Sequence, residues 1–308
     1  LLCIVYIMNI KYSEIFYSFQ GEAELAGKPS VWLRFFGCNL ECNGFGQDNP
    51  ADESTWDLPF KDADLSLIKT VEELPVFSKG CDSSYSWSNR YKHLCPSESV
   101  EEVCNKIEAQ LPNGRFVQDG KSPGTTDTML CFTGGEPMLR QRHMQAIVNE
   151  FIKRGNCPKT VTVETNGTKP LTREFKDWIF HMSYEYDMRW HWAISPKLLH
   201  TAGERDAVIP DVIVGYADIC SRVTTILKFV CNGTSESWNE IEQSLKNISL
   251  EFEGIADTTT FPSVWIMPVG ATKEQQESVV DIVMETMRRG YKVATRNHAY
   301  VFGNQIGT

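Results

Sequence analysis

The residues best equipped for chemistry are cysteines. Cys38 and Cys42, with three residues between them, close the apolar run Val31-Trp32-Leu33-Arg34-Phe35-Phe36. Two thiolates offered from one loop suit a soft metal, either zinc or the iron of an iron–sulfur cluster. The chain has ten cysteines in 308 residues, however, and buried cysteines often act as small apolar packing. The pair alone leaves both readings open. A further cysteine lies in Gly80-Cys81-Asp82-Ser83-Ser84-Tyr85-Ser86-Trp87. Thr133-Gly134-Gly135-Glu136-Pro137 adds two glycines, which let a backbone approach a ligand closely. Its Glu136 can accept hydrogen bonds from an ammonium group. Arg34 offers a planar fork to a carboxylate and can equally pair with an internal acid.

These residues need a frame. Residues 9–18 and 30–36 read as strands, and 99–111 as a helix with Ser99 and Glu102 in a capping-box pattern. Val100, Val103, Cys104, Ile107 and Leu111 share one face of that helix. A regular alternation follows the Gly- and Pro-rich loop 112–126. Strands at 128–132, 160–164, 190–194, 224–231 and 263–267, and one starting near Tyr291, are separated by helices or turns. Helices are expected around Met144–Ile152, 171–180, 235–246 and 273–289, with an irregular segment after Lys197. Alternation of this kind implies parallel βα units and an α/β fold. Residues 43–80 are irregular and acidic and read as a solvated surface excursion.

Ligands of parallel βα folds bind at the carboxyl ends of strands. Those ends carry Cys38, Thr133-Gly134-Gly135-Glu136-Pro137, Thr165-Asn166-Gly167-Thr168, Ser195-Pro196-Lys197 and Met267-Pro268-Val269-Gly270. Any one cluster could be a plain turn. Their joint position is the stronger signal.

The net charge of −10 argues against a nucleic-acid binder, which needs a basic face. Hydrophobic residues at 42% and charged residues at 23% are ordinary for a soluble globular protein. The cysteines lack the framework of small secreted domains, so a reduced, cytoplasmic protein is expected. The apolar opening 1–7 is too short to span a bilayer, and Met8 is read as the natural start.

Gly37-Cys38-Asn39-Leu40-Glu41-Cys42 resembles the cluster loop of radical S-adenosylmethionine (SAM) enzymes, which normally carry Cys-x3-Cys-x2-Cys. Phe45 occupies the third position here and cannot ligate iron. Cys81-Asp82-Ser83 with Ser86-Trp87 is similar to the segment bearing the third cysteine in one such family, the 7-carboxy-7-deazaguanine synthases. Gly134-Gly135-Glu136-Pro137, Ser195-Pro196-Lys197, Phe19-Gln20-Gly21-Glu22, Arg34, Val163-Glu164-Thr165-Asn166-Gly167, Trp265-Ile266-Met267-Pro268, Arg296-Asn297-His298 and Gly307-Thr308 also match blocks of that family.

The resemblance implies a single radical SAM domain over 1–308, an incomplete βα barrel with insertions at about 43–80 and 88–126. It implies a [4Fe-4S] cluster on Cys38, Cys42 and Cys81. It places SAM against Gly80, Asp82, Gly134, Gly135, Glu136, Ser195, Pro196 and Lys197. It assigns the substrate 6-carboxy-5,6,7,8-tetrahydropterin to Phe19, Gln20, Gly21, Glu22, Arg34, Thr133, Glu164, His298 and Thr308. Mg²⁺ is expected at Ser83, where the family usually has Thr. A 5'-deoxyadenosyl radical abstracts hydrogen from the pterin, the ring contracts, ammonia leaves, and SAM is regenerated. The implied partners are a one-electron donor such as flavodoxin or ferredoxin and a second copy in a homodimer, with no nucleic acid or membrane. Cys95, Cys104, Cys131, Cys157, Cys220 and Cys231 read as structural. Competing readings are a radical SAM activase, which makes a glycyl radical on a partner protein, and a structural zinc module that binds a partner.

Overall fold

The computed structural model describes residues 8–118, 124–255 and 259–308. The apolar opening 1–7, and residues 119–123 of the expected loop, lie outside the described residues. Nine strands form one sheet among the described residues: β1 (Asn9–Phe19), β2 (Pro29–Phe35), β3 (Ser97–Ser99), β4 (Met129–Gly134), β5 (Thr160–Thr165), β6 (Arg189–Ile194), β7 (Val223–Cys231), β8 (Ser263–Pro268) and β9 (Lys292–Val293). Their order is β3-β1-β2-β4-β5-β6-β7-β8-β9. β1 runs antiparallel to β2 and β3, and every pairing from β2 to β9 is parallel. The expected α/β class is met, with β3 and β9 as separate edges.

Alternation along the strands sorts side chains between two faces. Leu33 and Phe35, Leu130 and Phe132, Val161 and Val163, Trp190 and Trp192, and Leu227 and Phe229 all belong to the main core. That core is completed by the helices: Val103 and Ile107 of Val100–Gln110, Met144 and Phe151 of Gln141–Lys153, Phe175 and Ile179 of Arg173–Glu185, and Trp238 and Ile241 of Ser235–Phe252. Arg34, Thr133, Glu164 and Lys228, each one residue on from a core position, must therefore face the other way, and all four line one cavity. The two-residue period thus builds a helix-packed face and a ligand face from the same strands.

Several expected elements differ. The segment after Lys197 is not irregular throughout, since Pro210–Ala217 is helical with Val212, Ile213 and Tyr216 buried. The helix from Ser235 runs on to Phe252 because Ile248 extends its buried face. The single helix expected over 273–289 is two, Lys273–Glu277 and Val280–Arg288. Ser278 Oγ donates to the Gln275 carbonyl at 3.1 Å, a local bond that competes with helix continuation. The capping box at Ser99 and Glu102 is present as expected.

Residues 43–80 are more than a solvated excursion. Phe60, Val71, Leu74 and Phe77 bury their side chains in a second apolar cluster with Phe36, Tyr85, Tyr91, Cys95 and Ile306. The acidic residues read from the sequence form its outer surface, while the scattered apolar ones make a small core.

Candidate active site

The Cys38 loop leaves the end of β2 and is held from two sides. Gly37 donates its N–H to the Ser86 carbonyl at 2.7 Å, and Glu136 donates its N–H to the Gly37 carbonyl at 2.9 Å. A Cβ on Gly135 would lie 2.4 Å from the Gly37 oxygen and 2.7 Å from the Cys38 Cβ, so only glycine admits this approach. Cys42 sits at φ +54°, in the left-handed region that non-glycine residues rarely adopt. Glu204 secures that turn by accepting from the N–H groups of Glu41 and Cys42 at 2.9 and 2.6 Å. The Gly80 N–H donates to the Phe45 carbonyl at 2.7 Å. The chain therefore returns to its departure point one residue before Cys81.

Cys38, Cys42 and Cys81 line the same cavity, together with Phe19, Gln20, Gly21, Glu22, Arg34, Asp82, Ser83, Thr133, Gly134, Gly135, Glu164, Ser195, Lys197, His298 and Thr308. The structure does not bring Gly80, Glu136 or Pro196 to the cavity wall. Glu136 is wholly buried and its oxygens accept from Met138 N, Thr165 Oγ1 and Asn166 N at 2.9, 2.7 and 2.8 Å. Its carboxylate organises the strand ends from behind. Gly80, at φ +76°, serves the backbone turn into Cys81.

A chain of charges crosses the cavity floor. Gln20 Nε2 donates to Glu164 Oε1 at 2.9 Å, and Lys228 Nζ to Glu164 Oε2 at 2.9 Å and to Glu22. Arg296 bridges Glu22 Oε1 at 3.2 Å and Asp82 Oδ2 at 2.7 Å. Burial pushes the Glu22 carboxyl up, but the charges of Lys228, Arg296 and His298 outweigh it and hold it well below the usual range. The same contest lowers Asp82, where Arg296 prevails over burial. Burial lowers His298, opposed by the Glu22 charge. Arg34 donates from Nε to Glu14 Oε1 at 2.5 Å, so the internal-acid pairing foreseen for it is made, while the side chain still lines the cavity.

Lys228, Arg296, Glu14, Tyr85 and Glu204 were not singled out as functional from the sequence. Lys228 had a signal: it is a charge inside Ile226-Leu227-Lys228-Phe229-Val230, and it is only 4% exposed. Arg296 lay within a matched block without a role. Glu204 carried no signal, because its partners are backbone groups distant in sequence.

Burial pushes Cys38 up to about 12 and raises Cys42 and Cys81 as well. Thiolates there call for a compensating cation. None of the three is in a disulfide, and Lys197 lines the same cavity, its charge opposing the effect of burial on Cys38 and Cys42. Three soft donors lining one cavity, Cys42 buried and Cys38 and Cys81 half-buried, fit an iron–sulfur cluster in kind and number. Among the described residues, no group of three or more His, Cys, Asp and Glu side chains closes around a single metal ion. None of their helices is long and apolar enough to cross a membrane.

No family model matches the chain. A 7-carboxy-7-deazaguanine synthase from Halobacterium salinarum is 26% identical, covering 95% of this chain and 90% of its own. Synthases of the same name from Methanospirillum hungatei and Bacteroides thetaiotaomicron are each 27% identical over 53% and 56% of this chain. The chain spans only 44% and 59% of the length of those two relatives. The crystal structure of QueE from Escherichia coli covers 94% of this chain and 95% of that one, with a TM-score of 0.48 and 14% identity. By sequence, and in one case along nearly its whole length, the chain is similar to 7-carboxy-7-deazaguanine synthases.

Proposed function

We propose that the chain is a radical SAM carbon–nitrogen lyase that converts 6-carboxy-5,6,7,8-tetrahydropterin to 7-carboxy-7-deazaguanine. It would do so as one domain, 1–308, an incomplete βα barrel with insertions at about 43–80 and 88–126. The observation that carries this reading is the convergence of Cys38, Cys42 and Cys81 with Gln20, Arg34 and His298 on one cavity. The alignment over 95% of the chain supports it.

Cys38, Cys42 and Cys81 would hold a [4Fe-4S] cluster. Such a cluster would supply one-electron chemistry there. Gly134 and Gly135 leave room for SAM, and Ser195 and Lys197, joined at 2.9 Å, present a hydroxyl and a charge from the end of β6. Glu136 supports these groups through Thr165 and Asn166. Arg34 captures the pterin carboxylate with its terminal nitrogens. Gln20, Glu164 and His298 read the donor and acceptor edge of the pterin ring. Ser83 would offer a hard hydroxyl oxygen to Mg²⁺. A flavodoxin or ferredoxin supplies the electron in the cytoplasm, and a homodimer is part of the reading.

Anaerobic reconstitution followed by incubation with SAM, Mg²⁺, reductant and the pterin tests the proposal. The product is read by mass and absorbance, and 7-carboxy-7-deazaguanine with SAM recovered is the expected result. SAM cleavage with the pterin untouched, and a radical appearing on a glycine-bearing partner, would replace this reading with the activase. Colourless protein with one zinc would replace it with the zinc module.

A further inference from the structure

Arg34 does not stand alone on the ligand face. Directly opposite it on β1 is Glu14, and that pairing depends on an irregularity. The β1–β2 register runs Tyr12 with Phe35 and then Glu14 with Arg34. Ser13 is the extra residue of a bulge, without which it would stand opposite Arg34. Bulges re-aim side chains, often beside functional sites. Here the bulge turns a carboxylate onto the one arginine of β2.

One oxygen of Glu14 serves two donors. Oε1 accepts from Arg34 Nε at 2.5 Å and from the Tyr85 hydroxyl at 2.8 Å. Oε2 is buried without a hydrogen-bond partner among the described residues. The Tyr85 ring flanks the guanidinium, with Arg34 Cζ 5.8 Å from the ring centroid. The terminal nitrogens of Arg34 make no hydrogen bond among the described residues, while the side chain lines the cavity. Tyr85 lies four residues after Cys81, in the short helical turn Ser84–Ser86.

We propose that Glu14 and Tyr85 are positioning residues that fix the Arg34 guanidinium, so that its two terminal nitrogens meet a ligand carboxylate side by side. Through Tyr85 this orientation depends on the segment that carries Cys81. A guanidinium held at Nε on one edge and by an aromatic face loses little freedom when a carboxylate docks. The carboxylate-reading group and the third cysteine then share one scaffold. The inference rests on the reading that the ligand is a carboxylated pterin.

The test compares two probes, 6-carboxy-5,6,7,8-tetrahydropterin and tetrahydropterin lacking the carboxylate. Binding is measured by anaerobic calorimetry without reductant, so no turnover occurs. The protein is the reconstituted wild type, Tyr85→Phe and Glu14→Gln. Tyr85→Phe keeps the ring and removes one hydroxyl, and iron content and far-UV circular dichroism verify that each variant is folded. Each variant is expected to weaken binding of the carboxylated probe by roughly fivefold to tenfold and to leave the other probe unchanged. Equal weakening of both probes would mean a merely structural role and overturn the inference. So would wild-type preference for the carboxylated probe retained in full by both variants, with the functional reading intact. A wild type that does not distinguish the probes would overturn both.

Discussion

A methyl group on Gly21 would lie 2.1 Å from Nδ1 of His298. The imidazole occupies the space that the missing side chain leaves, and its Nε2 stands 3.9 Å from Glu22 Oε1. Gly21→Ala should push His298 out of the cavity without disturbing the cysteines. Affinity for the pterin should fall about tenfold, with iron content and melting temperature close to wild type. Unchanged affinity in a calorimetric titration would remove His298 from the ligand-reading set.

Cys81 should be distinguishable from the other downstream cysteines. Cys95 belongs to the second apolar cluster and Cys104 to the main core, whereas Cys81 faces the cavity. After anaerobic reconstitution, Cys81→Ala should hold little stable iron and sulfide, while Cys95→Ala and Cys104→Ala stay brown. A Cys81→Ala protein with full iron content and SAM cleavage would show that another residue completes the cluster.

Lys228 is a buried cation between two carboxylates, Glu22 and Glu164. Lys228→Met leaves those acids without their nearest partner and should cost about 3–5 kcal/mol at pH 7, read from urea unfolding. In the wild type Glu22 is depressed, so its contribution is present above the ordinary carboxylate range and is lost as pH falls below it. The variant should reverse that trend and regain part of its stability between pH 7 and 5. A variant with wild-type urea midpoints at both pH values would refute the network.

His191 gives a second pH signature. It is 4% exposed on β6, with Nδ1 2.8 Å from Thr224 Oγ1, and burial lowers it from 6.5 to about 4. The unfolded chain takes up this proton first. The contribution is complete above pH 6.5 and declines as pH falls from there toward 4. His191→Gln should flatten the stability slope in that window, and an unaltered slope would assign it to other groups.

The strand ends, the helix-packed face and the cysteine spacing were legible because each follows a short local period or motif. Arg34 between Leu33 and Phe35, and Glu164 between Val163 and Thr165, sort by alternation alone. The bulge at Ser13 was not legible, since nothing in Tyr12-Ser13-Glu14 marks an extra residue until β2 is laid beside it. The support behind Glu136 was hidden for a related reason: besides Met138, its donors Thr165 and Asn166 come from another strand end. Phe60, Val71, Leu74 and Phe77 follow no helical or strand period, because short turns separated by irregular chain bring them together. Their shared core was therefore hidden.

Ile306 belongs to that core with Phe60, Val71 and Phe77, and it lines the cavity together with Asn304, Gln305, Gly307 and Thr308. Two stretches more than two hundred residues apart are consequently one heritable module. A chimaera that borrows either stretch from a relative must borrow both. Substitutions at Ile306 should be tolerated only alongside compensating changes in Phe60, Val71 or Phe77.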